Sequence, residues 1–331
     1  MIRVDERYRS GLKRERRLRA RPMGVDTYQE SVIYMREDCA VCRSEGFESQ
    51  SRIRIEGNGR SLIATLNVVR ADWLGEGEAG LSDAAWRLLG ADEPCEVEVS
   101  HPHTIESFRA VRGKLFGRSV SGAEFRAIVD DITARRYSDV QLSAFIASCV
   151  GPGVSRDEVV SLTRAMVEVG ESLSWDRAVV FDKHCVGGLP GNRTSPLVVA
   201  IVAACGLIMP KTSSRAITSP AGTADTMETL TAVDLSLPDI RRVVEQEGGC
   251  LVWGGSVNLS PADDVLIRVE HSLDLDGEAQ LVASVLSKKL AAGSTHVVID
   301  VPVGPTAKVR DAQSAAALGE LLRFVGTSLD L

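Results

Sequence analysis

The sequence predicts an α/β protein with a small β-rich N-terminal domain, a helical domain and a mixed α/β domain. Three observations support this prediction. Residues 51–69 alternate apolar and polar residues on both sides of a Gly-Asn-Gly turn, which is typical of a hairpin. Residues 104–172 contain three Ser-x-x-Glu or Ser-x-x-Gln patterns of the kind that begin helices. From Trp175 onward, short β-branched runs alternate with glycine-rich turns and helical segments.

We place the domain boundaries where these patterns change. Nine of the first thirty residues are Lys or Arg. Such a charge run at a terminus usually forms a solvated tail, with contact to RNA or an acidic partner as the alternative. We expect helices from 261–292 to join the helical domain. The predicted boundaries are 1–28 for a basic arm, 29–103 for the β-rich domain, 104–172 for the helical domain and 173–331 for the α/β domain.

Composition restricts the functional class. The chain has 331 residues, 44% of them hydrophobic and 25% charged, with a formal net charge of −7. This balance argues against a nucleic-acid partner, and no apolar stretch reaches the roughly 18 residues of a membrane span. The arginine-rich start also lacks the apolar core of a secretion signal. We therefore expect a cytoplasmic protein with neither a membrane nor a nucleic-acid partner.

The seven cysteines do not form the even, closely spaced set of a disulfide framework, so we expect reduced thiols. Cys39 and Cys42 have the spacing of zinc ligands, but no second pair follows at a suitable distance. We expect no metal, with metal binding by this pair as the alternative.

Two polar loops follow predicted strands of the α/β domain. "DKHCVGGLPGNRTS" (182–195) lies between the apolar run Ala178–Phe181 and a helix that ends at Gly206, and Pro210–Thr229 follows a second apolar run. In a parallel sheet both loops lie at the edge where ligands bind and where helix starts attract anions. Neither contains the GxxxxGK[ST] or GxGxxG pattern, so we expect phosphate rather than ATP or NAD. A Ser/Thr-rich linker is the alternative for the second loop.

A third segment, 274–293, predicts an amphipathic helix with Ser284 and Lys288 four residues apart on one face. Taken alone, its lysines are typical of a solvent-facing surface.

Three segments in this order resemble the signature segments of the thymidine phosphorylase family, in the branch shared by type 2 thymidine phosphorylases and AMP phosphorylases. They are "DKHCVGGLPGN" (182–192), "SSRAITSPAGTADTME" (213–228) and "ASVLSKK" (283–289). The middle segment closely follows S-[GS]-R-[GA]-x-x-x-x-[GA]-G-T-x-D-x-x-E. Residues 25–30, 34–47 and 136–139 resemble the same branch, so the likeness covers the chain from about residue 25.

The resemblance implies a nucleoside phosphorylase/phosphoribosyltransferase-like fold whose α/β domain is incomplete at the C-terminus. It implies phosphorolysis, in which phosphate displaces a base from C1 of a pentose without a cofactor. The thymidine reaction gives thymine and 2-deoxyribose 1-phosphate, and the alternative AMP reaction gives adenine and ribose 1,5-bisphosphate. The partners would be phosphate, a nucleoside or nucleoside monophosphate, and a second copy of the chain in a homodimer. Two further alternatives are a phosphoribosyltransferase of the anthranilate type and a non-catalytic ligand-binding or partner subunit.

The resemblance also implies roles for individual residues. The implied catalytic residues are His184 and Asp276, and Asp276 would protonate a departing purine. The implied phosphate-binding residues are Lys183, Gly187, Gly188, Ser195, Ser213, Ser214 and Thr223. The implied base-binding residues are Arg268, Ser284 and Lys288. An AMP-type nucleotide site would comprise Gly188, Ser214, Arg215, Ala216, Ile217, Thr218, Ser219, Thr223, Ser284 and Lys308.

The first signature segment departs from that of first-type thymidine phosphorylases at two places. Cys185 replaces a serine, which substitutes a weaker hydrogen-bond donor. The segment Leu189–Asn192 carries an inserted residue that is typical of the other branch.

Overall fold

The structure, a computed structural model, describes residues 17–151, 153–187, 193–213, 221–275 and 277–331. The chain divides into two compact units. The first unit extends to Ile105 and includes Arg135–Asp139, and the second comprises Glu106–Ala134 and Val140–Leu331. We describe each unit by itself.

The first unit is a closed β-barrel with two short helices. Its strands lie in the spatial order β1-β5-β2-β4-β3-β6, so the sheet has no open edge. The strands are β1 (Arg17–Pro22), β2 (Val32–Arg36), β3 (Arg52–Gly57), β4 (Arg60–Val69), β5 (Glu78–Leu81) and β6 (Cys95–Ser100). The helices are α1 (Ala40–Glu45) and α2 (Asp83–Leu89). One face of each strand packs into a common core that includes Leu18, Ile33, Ile53, Leu66, Leu81 and Val97.

The hairpin predicted within 51–69 is confirmed. β3 pairs antiparallel with β4 from Arg52 opposite Thr65 to Gly57 opposite Arg60, which leaves a two-residue turn. Asn58 and Gly59 in that turn have positive φ values of 50° and 70°. An Asn-Gly pair suits this turn because both positions need a left-handed backbone.

The described part of the predicted basic arm is a barrel strand rather than a solvated tail. In β1 the arginines alternate with Leu18 and Ala20, which are both buried. Successive side chains of a strand point to opposite faces, so the arginines face outward while Leu18 and Ala20 fill the core. Part of the charged run is therefore a β-strand in which arginines alternate with buried apolar residues.

The second unit contains a helical bundle made of four early helices and two later ones. The early helices are α3 (Phe108–Leu115), α4 (Gly122–Thr133), α5 (Asp139–Ser148) and α6 (Arg156–Glu168). The later helices are α10 (Pro261–Leu273) and α11 (Glu278–Ala291). The capping boxes predicted at Ser121 and Ser155 are both formed. α4 contacts α6 and α10, and α6 contacts α11. The two late helices thus complete the bundle.

The rest of the second unit is a parallel sheet flanked by helices. Its strands are β7 (Phe181–Cys185), β8 (Met209–Ser213), β9 (Gly249–Trp253) and β10 (His296–Asp300). β10 pairs with β7, β8 pairs with β9, and a parallel bridge between Val180 and Ile208 links the two pairs. The helices are α7 (Thr194–Ala204), α8 (Thr223–Glu228), α9 (Leu237–Glu247) and α12 (Ala312–Thr327). β7 and β8 are therefore neighbours, and each is followed by one of the predicted polar loops.

The described ranges contain no helix that is both long and apolar enough to cross a membrane. All seven cysteines lie in the described ranges, and none of them forms a disulfide there. Within the same ranges, no group of three or more His, Cys, Asp or Glu side chains is arranged to hold a metal ion.

Candidate phosphate and base site

The described phosphate-binding candidates lie on two neighbouring strands of the parallel sheet, in the loop that follows β7, or in the first turns of the helices that follow these strands. Lys183 lies on β7 and Ser213 ends β8, while Ser195 and Thr223 lie in the first turns of α7 and α8. Lys183, Ser195 and Ser213 are buried. The parallel topology places the carboxyl ends of β7 and β8 together, which is where α/β proteins bind ligands.

Lys183 is positioned by two aspartates. Its Nζ lies 3.1 Å from Oδ2 of Asp300, the last residue of the adjacent strand β10. Its backbone N–H donates to Oδ1 of Asp182 at 2.6 Å. Both contacts restrain the lysine, because one holds its charged end and the other holds its main chain.

A buried ion pair ties this region of β7 to the helical bundle. Lys289 on α11 is 1% exposed and its Nζ lies 2.8 Å from Oδ2 of the buried Asp182. The same Nζ donates to the Thr212 carbonyl oxygen on β8 at 3.0 Å. One ammonium group therefore connects α11, β7 and β8. The sequence interpretation missed this pair, although both residues stand inside the signature segments.

Lys211 is a second buried lysine at the same carbonyl group. Its Nζ also donates to the Thr212 oxygen, and its side chain is buried. Among the described residues no carboxylate lies within ion-pair distance of it. Burial and the charge of Lys289 lower the pKa of Lys211 well below its usual value, although Asp182 opposes this effect. The sequence analysis assigned Lys211 no role of its own.

The predicted base-binding residues lie on two adjoining helices of the bundle. Arg268 is buried on α10, while Ser284 and Lys288 lie on α11. Lys288 forms a buried ion pair with Asp263 on α10. The sequence-based expectation of solvent-facing lysines on this helix is wrong, since Lys288 and Lys289 each bury their charge against an aspartate that lies far away in the chain.

His184, the predicted catalytic residue of β7, is neutral at neutral pH. Burial lowers the pKa of His184 well below 6.5, and the nearby positive charges of four lysines lower it further. Those lysines are, in order of effect, Lys289, Lys211, Lys288 and Lys183. A neutral imidazole can donate one hydrogen bond and accept another, but it adds no charge to the site.

Cys185 and Gly187 end the described part of the first loop. Burial raises the pKa of the Cys185 thiol, and its interaction with Asp300 acts in the same direction. Gly187 has a φ of 99°, which side chains rarely permit, and the Gly187 N–H donates to the Cys185 sulfur. The backbone at the loop start is thus held in a conformation that glycine allows.

The charges at the sheet edge do not balance. Four lysines (Lys183, Lys211, Lys288 and Lys289) act on His184, and three aspartates (Asp182, Asp263 and Asp300) form ion pairs with three of them. One lysine, Lys211, therefore lacks a paired carboxylate within the described residues. Since a buried lysine becomes charged at lower cost when an opposite charge lies beside it, this arrangement is suited to binding an anion. A bound anion would also favour the charged form of Lys211 and so raise its pKa.

The remaining predicted site residues are Lys308 and eight positions outside the described residues. Lys308 is exposed and follows β10. The predicted positions outside the described residues are Gly188, Ser214, Arg215, Ala216, Ile217, Thr218, Ser219 and Asp276.

The helical bundle and the parallel sheet together define the fold of a glycosyl transferase. Residues 109–170 match the glycosyl transferase family, helical bundle domain, and residues 177–320 match the a/b domain of the same family. The anthranilate phosphoribosyltransferase of Thermus thermophilus has a similar fold, with a TM-score of 0.54 and 23% sequence identity. That similarity covers 66% of this chain and 63% of the other chain.

The chain belongs to this glycosyl transferase family and is thymidine phosphorylase-like within it. It is 63% identical over 315 residues to the "Putative thymidine phosphorylase" of Polaromonas sp. (strain JS666). It is 61% identical to the "Putative thymidine phosphorylase 2" of Acidovorax sp. (strain JS42), and 59% identical to the "Putative thymidine phosphorylase" of Hahella chejuensis. These matches cover 95%, 95% and 93% of this chain but only 62%, 61% and 61% of the relatives. The family resemblance seen in the sequence is confirmed, and the AMP-phosphorylase branch stays a prediction.

Proposed function

We propose that this chain carries the phosphate and base site of a nucleoside phosphorylase of the thymidine type, which converts thymidine and phosphate into thymine and 2-deoxyribose 1-phosphate. The observation that supports this proposal most strongly is Lys211, which is buried with no paired carboxylate among the described residues, in the sheet that also holds Lys183. Inorganic phosphate is an anion of suitable size and charge to complete such a site.

The proposed chemistry divides between the sheet and the bundle. Phosphate attacks C1 of the sugar while the bond to the base breaks, so positive charge develops on the sugar and negative charge on the base. Lys183 holds phosphate, with hydroxyl donors from Ser195 and Ser213. Charge stabilisation of this kind is commonly worth about 3 kcal/mol per donor.

On the other side of the sugar, the departing thymine gathers negative charge on its ring and carbonyl oxygens. Lys288 and Arg268 supply positive charge to the base, and His184 offers an N–H donor. A neutral His184 suits this role because it donates a hydrogen bond without repelling the lysines around it. The base side of the reaction therefore rests on two helices of the bundle and on His184 of β7.

AMP is the second candidate substrate, and the exposed cation Lys308 favours it. Lys308 follows β10, whose last residue Asp300 pairs with Lys183. A cation beyond that strand suits a 5′-phosphate. Asp276 would act as the acid for a purine, so Asp276→Asn should abolish adenine release, and Lys308→Ala should raise the AMP concentration needed. Normal thymidine cleavage by both variants, with AMP ignored by the wild type, would leave thymidine as the substrate.

The test is to incubate the chain with phosphate and each of thymidine, uridine, cytidine and AMP, and to measure released base. Base release that requires phosphate supports the proposal. Release that requires diphosphate indicates a phosphoribosyltransferase, and binding without turnover indicates a non-catalytic subunit.

A further inference from the structure

Two cysteines of the first unit stand apart from the proposed function. Cys39 immediately precedes α1, and Cys42 lies in the first turn of that helix. Cys39 is partly exposed and packs against the barrel core, whereas Cys42 is 5% exposed and belongs to that core. The pair thus combines one thiol that solvent can reach with one that the fold shields.

The two thiols also interact with each other. The Cys42 thiol, as a hydrogen-bond donor to the Cys39 sulfur, lowers the pKa of Cys39 to about 6, and the backbone N–H groups of Cys42 and Val41 contribute. The same contact, with burial, raises the pKa of the Cys42 thiol. Since the thiolate is the nucleophilic form of cysteine, the accessible member of the pair is also the reactive one.

The backbone around the pair can accommodate a covalent bond. Side chains three positions apart on a helix have Cβ atoms about 5–6 Å apart, and a disulfide needs about 3.5–4.5 Å. Cys39 lies outside the helix, with a φ of −57° and a ψ of 129°. The required approach of the two residues therefore involves the position before the helix rather than a position within it.

We propose that Cys39 and Cys42 form a reversible disulfide, in which Cys39 is the attacking thiol and Cys42 the resolving thiol. The oxidant is a low-molecular-weight disulfide of the glutathione class. The thiolate of Cys39 attacks one sulfur of that disulfide, whose S–S bond breaks and releases one small thiolate. Cys42 then attacks the Cys39 sulfur of the mixed disulfide and releases the second small thiolate, which takes the Cys42 proton. Two protein thiols are oxidised and one small disulfide is reduced to two thiols.

Other cysteines provide internal comparisons for this site. Burial raises the pKa of Cys95, in the same unit, and burial also raises the pKa of Cys149 to about 11 and that of Cys250 to about 12. These three thiols should react slowly with a small disulfide, because little of each is ionised near neutral pH. Oxidation under mild conditions should therefore favour Cys39 over these three thiols.

The first test uses the whole chain and no substrate. The protein is equilibrated with oxidised and reduced glutathione at stepped ratios, quenched with acid, alkylated and digested with trypsin. Both cysteines fall in one tryptic peptide, Glu37–Arg43. We expect a form of this peptide that is two hydrogen atoms lighter, that cannot be alkylated, and that grows with the oxidised fraction and disappears on reduction. A peptide that keeps two free thiols at every ratio would overturn the proposal.

The second test separates the two roles. In Cys42→Ala, Cys39 should accumulate as a stable mixed disulfide with glutathione, and Cys95→Ser should behave as the wild type. Because Cys42 is buried and its replacement could disturb the fold, iodoacetamide labelling of the wild type at stepped pH provides a further measurement. Cys39 should label much faster than Cys95 at pH 7, and equal rates would contradict the assignment. Neither test depends on phosphorolysis, so failure of the proposed function would leave both results interpretable.

Discussion

The buried pair of Asp182 and Lys289 should dominate the stability of the second unit. Replacing Asp182 with Asn removes the only carboxylate, among the described residues, that pairs with Lys289. It also leaves Lys289 with no counter-charge in the described ranges, beside a second buried lysine, Lys211, at one carbonyl oxygen of Thr212. Removal of one partner from a buried ion pair costs about 3–5 kcal/mol.

The opposite replacement should cost less. Lys289→Met leaves the Asp182 carboxylate buried, but Lys211 lies near enough for Asp182 to influence its pKa and can take over the charge. The remaining cost is that of imperfectly satisfied polar groups, about 1–3 kcal/mol. The pKa of Lys211 should then rise, because the repulsion by Lys289 is gone. The structure therefore predicts an order of stability in which Asp182→Asn is worse than Lys289→Met.

The assay is urea unfolding followed by circular dichroism at 222 nm, which reports mainly on the long helices of the second unit. Glu168→Gln is the control, since it removes an exposed ion pair with Arg126 and such pairs contribute little. The double variant Asp182→Asn/Lys289→Met should be more stable than Asp182→Asn alone. Equal costs for the two single variants, or a double variant that loses the sum of both, would refute the reasoning.

Three further predictions concern turnover, pH and assembly. Lys183→Ala should lower phosphate-dependent base release by roughly 10²–10³-fold with an unchanged circular dichroism spectrum; turnover like that of the wild type would contradict the assignment. Because folded His184 resists protonation, the folded state should lose stability as the pH falls below 6.5, by at most about 1.4 kcal/mol per pH unit, and His184→Gln should unfold with a shallower pH dependence. A homodimer formed through 104–172 should give twice the chain mass by light scattering and should weaken in Val140→Asp, since Val140 is 80% exposed; a monomeric wild type at micromolar concentration would exclude it.

Local patterns predicted those elements whose partners are near in sequence. The hairpin of β3 and β4 was predictable because its alternation and its Asn-Gly turn act over a few residues. The apolar face of α4, with Phe125 and Ile128, followed from helical spacing. Closure of the barrel was not predictable, because β1 pairs in parallel with β5 across some sixty residues of chain. Pairings at that separation leave no periodic signal in the strand itself.

The residues of the candidate site were likewise predictable only where the signal is local in sequence. Lys183 and Ser213 were recognised because each stands in a signature segment, Lys183 within β7 and Ser213 at the end of β8. Lys289 stands beside Lys288 in such a segment, yet its role depends on Asp182, which is more than a hundred positions away. A lysine is ordinarily assigned to the surface unless a counter-charge is known, and only tertiary structure reveals that partner.

The adjacent lysines of α11 explain how the proposed phosphate-binding and base-binding residues can keep a constant separation. Lys288 pairs with Asp263 on α10, while its neighbour Lys289 pairs with Asp182 on β7. Two successive residues of α11 thus connect the bundle, which carries the proposed base-binding residues, to the strand that carries Lys183, the proposed phosphate ligand. Both pairs are buried, so sliding α11 along the sheet would expose charge to an apolar interior. The cost of that movement restrains the bundle against the sheet, as a reaction between two separately bound groups requires.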